Sequence, residues 1–264
     1  MRTLRRIIQT PVLSILLLTV FFLINSENTN AQDFKMGLSV NPNLSWMVST
    51  DYDHTTDGAK LNFGFEFVAD ILMSENYSFG TGIHVFNTGG SINYLTNENE
   101  VISVLNTVER DYSLKYVEIP LTFKMRTKEI GYSTIYGRFG LGLGLNIRAE
   151  AEERQRTSWV AQPAEGGWQD FDGEWSEVSN PEVDSDIRIL RTAMIIGAGV
   201  ERSLGGSSSL IIGVTYNVGI LNSHKDVEQW ALNNGVPKEE ASTDPPNYLK
   251  GHDDFVEMSL GILF

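Results

Sequence analysis

The sequence predicts an all-β fold: a transmembrane antiparallel up-and-down β-barrel of eight strands, preceded by a cleaved signal peptide. Three observations predict it. After residue 32 the chain breaks into eight runs in which apolar residues alternate with small or polar ones, the period of a strand with two unlike faces. The gaps between runs are alternately long and short, as they are when strands run up and down through a bilayer. Beyond the N-terminus no stretch reaches the roughly 18 consecutive apolar residues of a membrane helix, so a crossing falls to strands.

The N-terminus reads as a leader. Met1 to Arg6 is basic, and Pro11 to Ile24 is apolar but shorter than the ~20 residues of a membrane span. Thr29-Asn30-Ala31 offers small residues at the recognition positions, so cleavage is expected after Ala31. This makes 1–31 a signal peptide and 32–264 one barrel domain. The absence of Cys excludes a lipoprotein, disulfides and thiolate metal sites. The net charge is −14, and removing Arg2, Arg5, Arg6 and Glu27 with the leader makes the chain more acidic still. Nucleic acid is excluded as a partner, because phosphate neutralisation needs Lys and Arg.

The first run, about 33–48, sets Phe34, Met36, Leu38, Val40, Leu44 and Trp46 against Lys35, Gly37, Ser39, Asn41 and Asn43. The second, about 60–73, sets Leu61, Phe63, Phe65, Phe67 and Ile71 against Asn62, Gly64, Glu66 and Asp70. The third, about 76–95, carries Ser78, Gly80, Gly82 and His84 on its polar face, and Gly89-Gly90 marks a bulge or bend. The fourth, about 110–127, sets Val117, Ile119, Leu121, Phe123 and Met125 against Glu118, Thr122, Lys124 and Arg126, with Pro120 deleting one ladder donor. The fifth, about 132–150, sets Phe139, Leu141, Leu143, Leu145 and Ile147 against Arg138, Gly140, Gly142, Gly144, Asn146 and Arg148. The sixth, about 185–202, places Arg191, Ala193, Gly197, Gly199 and Glu201 together. The seventh, about 209–222, alternates Leu210, Ile212, Val214 and Tyr216 with Gly213, Thr215 and Asn217. In the last run Val256, Met258, Leu260, Ile262 and Phe264 face one way, and Glu257, Ser259 and Gly261 the other.

A soluble sandwich also alternates, but it puts its bulky apolar face inward. Here the other face is rich in Gly, which suits the narrow interior of an eight-stranded barrel. Trp46, Tyr77, Phe79, Tyr94, Tyr112, Tyr116, Tyr132 and Tyr136 fall near strand ends, where membrane barrels carry aromatic girdles. The short gaps read as periplasmic turns. The long ones, about 49–59, 96–109, 151–184 and 223–252, read as extracellular loops.

Two stretches carry a resemblance. Tyr116-Val-Glu-Ile-Pro-Leu-Thr-Phe-Lys124, followed by Tyr136-Gly-Arg-Phe-Gly-Leu-Gly-Leu-Gly144, resembles the PorT-like family of outer-membrane β-barrel proteins, as do Lys35 to Asn43 and Gly261 to Phe264. The ending on Phe264 also resembles the signal read by the barrel assembly machinery, which makes that machinery an expected partner. The resemblance implies the outer membrane of a Gram-negative bacterium, with outer-membrane lipid and lipopolysaccharide as surroundings. It brings no catalytic residues and no cofactor.

Inward charges must be paired, since isolated burial is costly. A lumen network of Glu66, Glu118, Lys124, Arg138 and Glu257 is expected, with Glu118 and Glu257 facing Arg138 and Lys124. Enzyme chemistry at the rim would need His54, His224 or His252 with Ser223 and Asp253, but no spacing demands it. The segment Asp170 to Glu177 lacks the full spacing of a calcium loop, and no metal site is expected. Trp159, Trp168, Trp175 and Trp230 fall in the two longest loops, leaving Trp46 as the Trp assigned to a strand, and form a candidate surface for an envelope protein or extracellular ligand. Pro163, Gly166-Gly167 and Pro181 argue against a long regular extension of the third loop, and 226–233 could form a short helix. The expected function is that of a non-enzymatic outer-membrane barrel with a side-chain-filled lumen, serving as a surface binding or structural component. The alternatives are an accessory subunit of a secretion or surface-assembly machine and a lipid-modifying rim enzyme.

Overall fold

The computed structural model describes residues 34–50, 54–96, 104–162, 166–178, 186–225 and 250–264. The expected leader, Trp230 and the helix at 226–233 lie outside these residues.

Among the described residues there are eleven strands: β1 (Phe34–Ser49), β2 (His54–Asp57), β3 (Lys60–Leu72), β4 (Tyr77–Thr96), β5 (Val104–Arg126), β6 (Ser133–Gln162), β7 (Gly167–Asp170), β8 (Ser176–Val178), β9 (Leu190–Gly205), β10 (Ser208–Gly219) and β11 (Gly251–Leu263). Eight of them form a closed antiparallel ring in the order β1-β3-β4-β5-β6-β9-β10-β11. The seam joins β11 to β1, from Gly37 opposite Leu263 to Ser49 opposite Gly251. Beyond it, the Met36 and Phe264 backbones exchange two hydrogen bonds of 3.0 and 2.7 Å. Where the eight strands run side by side, closure leaves none of them with a free edge, the condition for crossing lipid with strands. The other three strands add to the ends of ring strands: β2 to β4, and β7 and β8 to β6.

The alternation sorts the faces as expected. Leu38, Phe63, Phe65, Ile83, Ile119, Phe139, Leu141, Val214 and Met258 are exposed on the outside, whereas Ser39, Asn41, Glu66, His84, Glu118, Lys124, Thr215 and Glu257 are buried inside. The outer wall is a continuous apolar belt. Its turns are tight at one end, where Ile130 and Ser133 exchange backbone bonds and Gly205 and Gly206 take positive φ of 105° and 62°.

Three expectations are corrected. First, the fourth and fifth strands are longer than the sequence indicated. β5 starts at Val104 rather than near 110, and β6 continues to Gln162 rather than ending near 150. The third loop is therefore a paired hairpin over much of its length, with Trp159 on β6 and Trp168 on β7. Gly166 takes a positive φ of 66° just before β7 and Gly167 begins that strand, paired with Gln162; Pro163 and Pro181 lie outside the described residues. Secondly, Tyr94, Tyr112, Tyr116 and Tyr136 do not join a girdle: all four are buried inside, while Tyr77 and Tyr132 remain on the outer surface. Their position along the strand suggested the interface, but their phase points inward. Thirdly, Arg148 does not face the lumen. The β5–β6 register shifts between Lys115 and Tyr116, Lys115 pairing with Arg148 and Tyr116 with Asn146. The extra residue, Ile147, reverses the facing of the segment above it, up to a second register shift at Ser158, between the pairs Asn106–Thr157 and Leu105–Trp159. Ala149 and Glu153 turn inward and Arg148 outward.

The bend at Gly89-Gly90 shapes the long-loop end. The Ser45 hydroxyl donates to the Gly89 carbonyl at 2.8 Å and accepts from its N–H at 3.0 Å. A Cβ on Gly90 would lie 2.6 Å from the Met47 backbone nitrogen, so only glycine lets β4 press this closely on β1. Above the bend β4 and β5 lean across the barrel mouth. Ile92, Tyr94 and Val108 thereby join Met47, Phe86, Tyr112, Leu114, Tyr116, Ile187 and Phe255 in one buried cluster.

Candidate functional site

The lumen is filled from end to end. At the short-turn end Lys124 and Arg126 of β5 meet Asp70 of β3 and Glu201 of β9. Lys124 Nζ lies 2.8 Å from Asp70 and in contact with Glu201, and Arg126 lies 2.6 Å from Asp70 and 3.2 Å from Glu201. All four are buried. Midway, Arg138 of β6 donates to Thr215 at 2.7 Å and Glu257 at 3.3 Å and lies 3.8 Å from Glu66. His84 stands between Glu257 (3.4 Å) and Glu118 (4.0 Å).

Nearer the mouth, Arg191 of β9 lies 2.9 Å from both Glu118 and Asp253. Its guanidinium is ringed by Phe86, Tyr116 and Phe255, at 5.4, 5.7 and 5.3 Å from the ring centroids. Such a cation–π enclosure suits a desolvated guanidinium. Gly142 makes room for the Glu118 carboxylate, which a Cβ there would overlap.

The five residues expected in the lumen network all lie in it, but not in the expected pairs. Glu257 meets Arg138. Glu118 meets Arg191 and His84 instead of Arg138 or Lys124, and Lys124 serves Asp70 and Glu201. The tilt of the strands decides this, because it sets side chains of equal height at unequal sequence positions. Alternation identifies which residues face in, and the shear identifies which of them meet. The apolar mouth cluster was missed. Its signal was present in the phase: Phe86 follows His84 by two residues and Phe255 precedes Glu257 by two.

The residues considered for rim chemistry are held by packing and ion pairs. Ser223 is buried and its hydroxyl donates to Asp253 at 3.3 Å, the carboxylate that Arg191 engages. His224 sits edge-on to Tyr112 with centroids 5.1 Å apart. His54 packs on Tyr94 at 5.1 Å, and His252 lies 3.5 Å from Asp254.

Outside the lumen, the β5–β6 hairpin builds a second constellation. Arg154 reaches Glu109 of β5 through two bonds of 2.9 and 2.8 Å. This hydrogen bonding raises the pKa of the Arg154 guanidinium above its ordinary value. Arg156 donates to Asp172 at 2.9 Å. Both guanidinium carbons lie 4.9 Å from the centroid of the Trp175 ring. Trp175 nonetheless stays 42% exposed, which leaves part of its ring open to solvent. Trp159 and Trp168 are half-buried on β6 and β7. Among the described residues no group of His, Cys, Asp or Glu is placed to hold a metal ion.

A closed ring of eight antiparallel strands, an apolar outer belt and a charged, filled interior agree with one family profile. It is described as "Outer membrane protein beta-barrel domain" and matches residues 28–225. The chain belongs to this outer-membrane β-barrel family. The barrel is accordingly a protein of the Gram-negative outer membrane. In such barrels the short turns face the periplasm and the long connections face outward. Among solved structures the barrel is similar to Neisserial surface protein A, with 11% identity, a TM-score of 0.41 and coverage of 87% of this chain and 95% of that one. It is also similar to the Yersinia pestis attachment invasion locus protein Ail, with 12% identity, a TM-score of 0.33 and coverage of 88% and 99%. A third is OprG of Pseudomonas aeruginosa, with 12% identity, a TM-score of 0.36 and coverage of 88% and 98%. No curated protein matches the chain.

Proposed function

We propose that this barrel is a non-enzymatic surface component of the outer membrane, and that its extended hairpin is the element that binds. The observation that carries this is a contrast within one molecule. The lumen is closed by buried ion pairs and aromatic rings, whereas the hairpin holds an exposed Trp in place outside. A side chain as large as Trp175, fixed by two arginines and still open to solvent, has the chemistry of an interface anchor. Because β6, β7 and β8 order it before any contact, less conformational entropy is lost on binding.

The test replaces 163–178 with a short turn and compares intact cells expressing either form. Crosslinking followed by solubilisation of the barrel is the readout. Under the surface-binding reading, the wild type captures an external protein or glycan and the trimmed form assembles but captures none. A stoichiometric set of envelope proteins recovered equally with both forms would instead identify an accessory subunit of a machine and remove the hairpin from the argument.

A further inference from the structure

His84 is bracketed by carboxylates at both of its ring nitrogens. Nδ1 lies 4.0 Å from Glu118 Oε1, and Nε2 lies 3.4 Å from Glu257 Oε2. All three side chains are buried. Along the wall, Glu118 of β5 is the direct cross-strand neighbour of His84 on one side, and Glu66 of β3 is the neighbour on the other. A neutral imidazole carries one N–H, so it turns a lone pair toward one of the two carboxylates that bracket it. An imidazolium has a donor for each. Glu118 Oε1 and Glu257 Oε2 have no other hydrogen-bond partner to take its place.

The surrounding charges make the same demand. Arg138 of β6 serves Glu66 and Glu257, and Arg191 of β9 serves Glu118 and Asp253. Among the described residues at this level, the two guanidiniums thus face four carboxylates. β1 and β10 bring the uncharged Asn43 and Thr215, each in register with Glu257. Carboxylates in excess of their cations are costly in a dry interior. We propose that His84 is held as an imidazolium, the third cation of the central lumen, and that its proton is a latch on the barrel mouth. Phe86 makes the connection. It follows His84 by two residues on β4, and its ring centroid lies 4.6 Å from that of His84, 4.9 Å from that of Phe255 and 5.8 Å from that of Tyr116. When the proton leaves, Glu66, Glu118 and Glu257 repel one another at the foot of this apolar plug. The charge contributes its full stability at acidic pH, and the contribution is lost as the pH rises and the folded barrel gives up the proton. The latch does not depend on the surface-binding reading.

The test is heteronuclear NMR of the histidine ring nitrogens in the full chain, folded in neutral detergent. At about pH 7.5 a free histidine is about nine-tenths neutral. The His84 ring is expected to show both nitrogens protonated at that pH, and a neutral ring overturns the proposal. The signal is assigned by its loss in His84→Gln. Should that variant fail to fold, judged by loss of heat-modifiable gel mobility, His54→Gln, His224→Gln and His252→Gln assign it by elimination. Urea unfolding in detergent is the second readout. Between about pH 6 and about pH 9 the wild-type unfolding constant should grow about tenfold more than that of His84→Gln, and equal growth overturns the latch. At about pH 6, adding Glu257→Gln to His84→Gln should recover stability, because it removes a carboxylate left without its cation. Absence of recovery would assign the loss to packing and overturn the charge.

Discussion

Single residues in this barrel are judged by what burial does to them. Arg191 sits between Glu118 and Asp253 in a cage of rings, and those carboxylates depend on it. Arg191→Ala leaves Glu118 and Asp253 short of a partner in a dry interior, and a loss of about 3–5 kcal/mol is expected. Urea unfolding in detergent, read by gel mobility, measures it, and a loss under about 1 kcal/mol would show that the lumen solvates its own charges. Glycines make the converse point. A Cβ at Gly142 would overlap the Glu118 carboxylate, whereas one at Gly137 would find its nearest atom, the Gly197 carbonyl oxygen, at 4.0 Å. Gly142→Ala should therefore cost about 1–3 kcal/mol and Gly137→Ala no more than about 0.5. Equal effects would refute the packing argument. A glycine-rich strand face thus holds two kinds of glycine, one kept by a neighbour and one merely small, and the sequence shows them alike.

At the scale of elements, the hairpin and the bend matter most. β5 and β6 outgrow the barrel because their pairing continues after β9 has ended, and β7 and β8 cover part of the β6 edge that β9 leaves open. Covering an edge limits unwanted strand pairing. Trp175 ties the return segment to β6 through Arg154 and Arg156. Trp175→Ala removes two cation–π contacts, each worth about 0.5–1 kcal/mol at an exposed site. Faster proteolysis of the 163–178 segment is expected, with heat-modifiable mobility unchanged. Unaltered cleavage would mean that strand pairing alone holds the segment. The bend is less forgiving. Gly90→Val would push β4 off β1 and open the mouth cluster, so its effect should reach past the hairpin into barrel stability.

For the molecule as a whole, the filled lumen predicts the absence of a pore. An eight-stranded ring leaves space for side chains rather than an aqueous path, and here the space left among Glu66, Asp70, Lys124, Tyr136 and Arg138 is about that of one water. Planar-bilayer recordings of the purified barrel should show no steady conductance, and reproducible open levels would contradict the closed lumen. Unboiled protein should run faster on a denaturing gel than boiled protein, as a closed barrel resists detergent. Equal mobility would count against the ring.

The eight ring strands, the facing of their lower parts and the apolar belt were legible in the order of residues. The period of two is a property of the extended chain itself, and a bilayer leaves few ways to satisfy a backbone that carries it. The sequence likewise showed that Glu66, Glu118, Lys124, Arg138 and Glu257 point inward, but not that Arg148 points out. It could not show which of them meet: Arg191 with Glu118, or Lys124 with Glu201, are pairs made by tilt and shear, and these exist only once the ring closes. Nor could it show that one extra residue at Ile147 reverses the side chains that follow it, because a bulge is defined by the partner strand. The outward aim of Arg148 and the inward aim of Ala149 and Glu153 follow from that long-range pairing. Alternation along one strand fixes its two faces; only the neighbouring strands decide what each face touches.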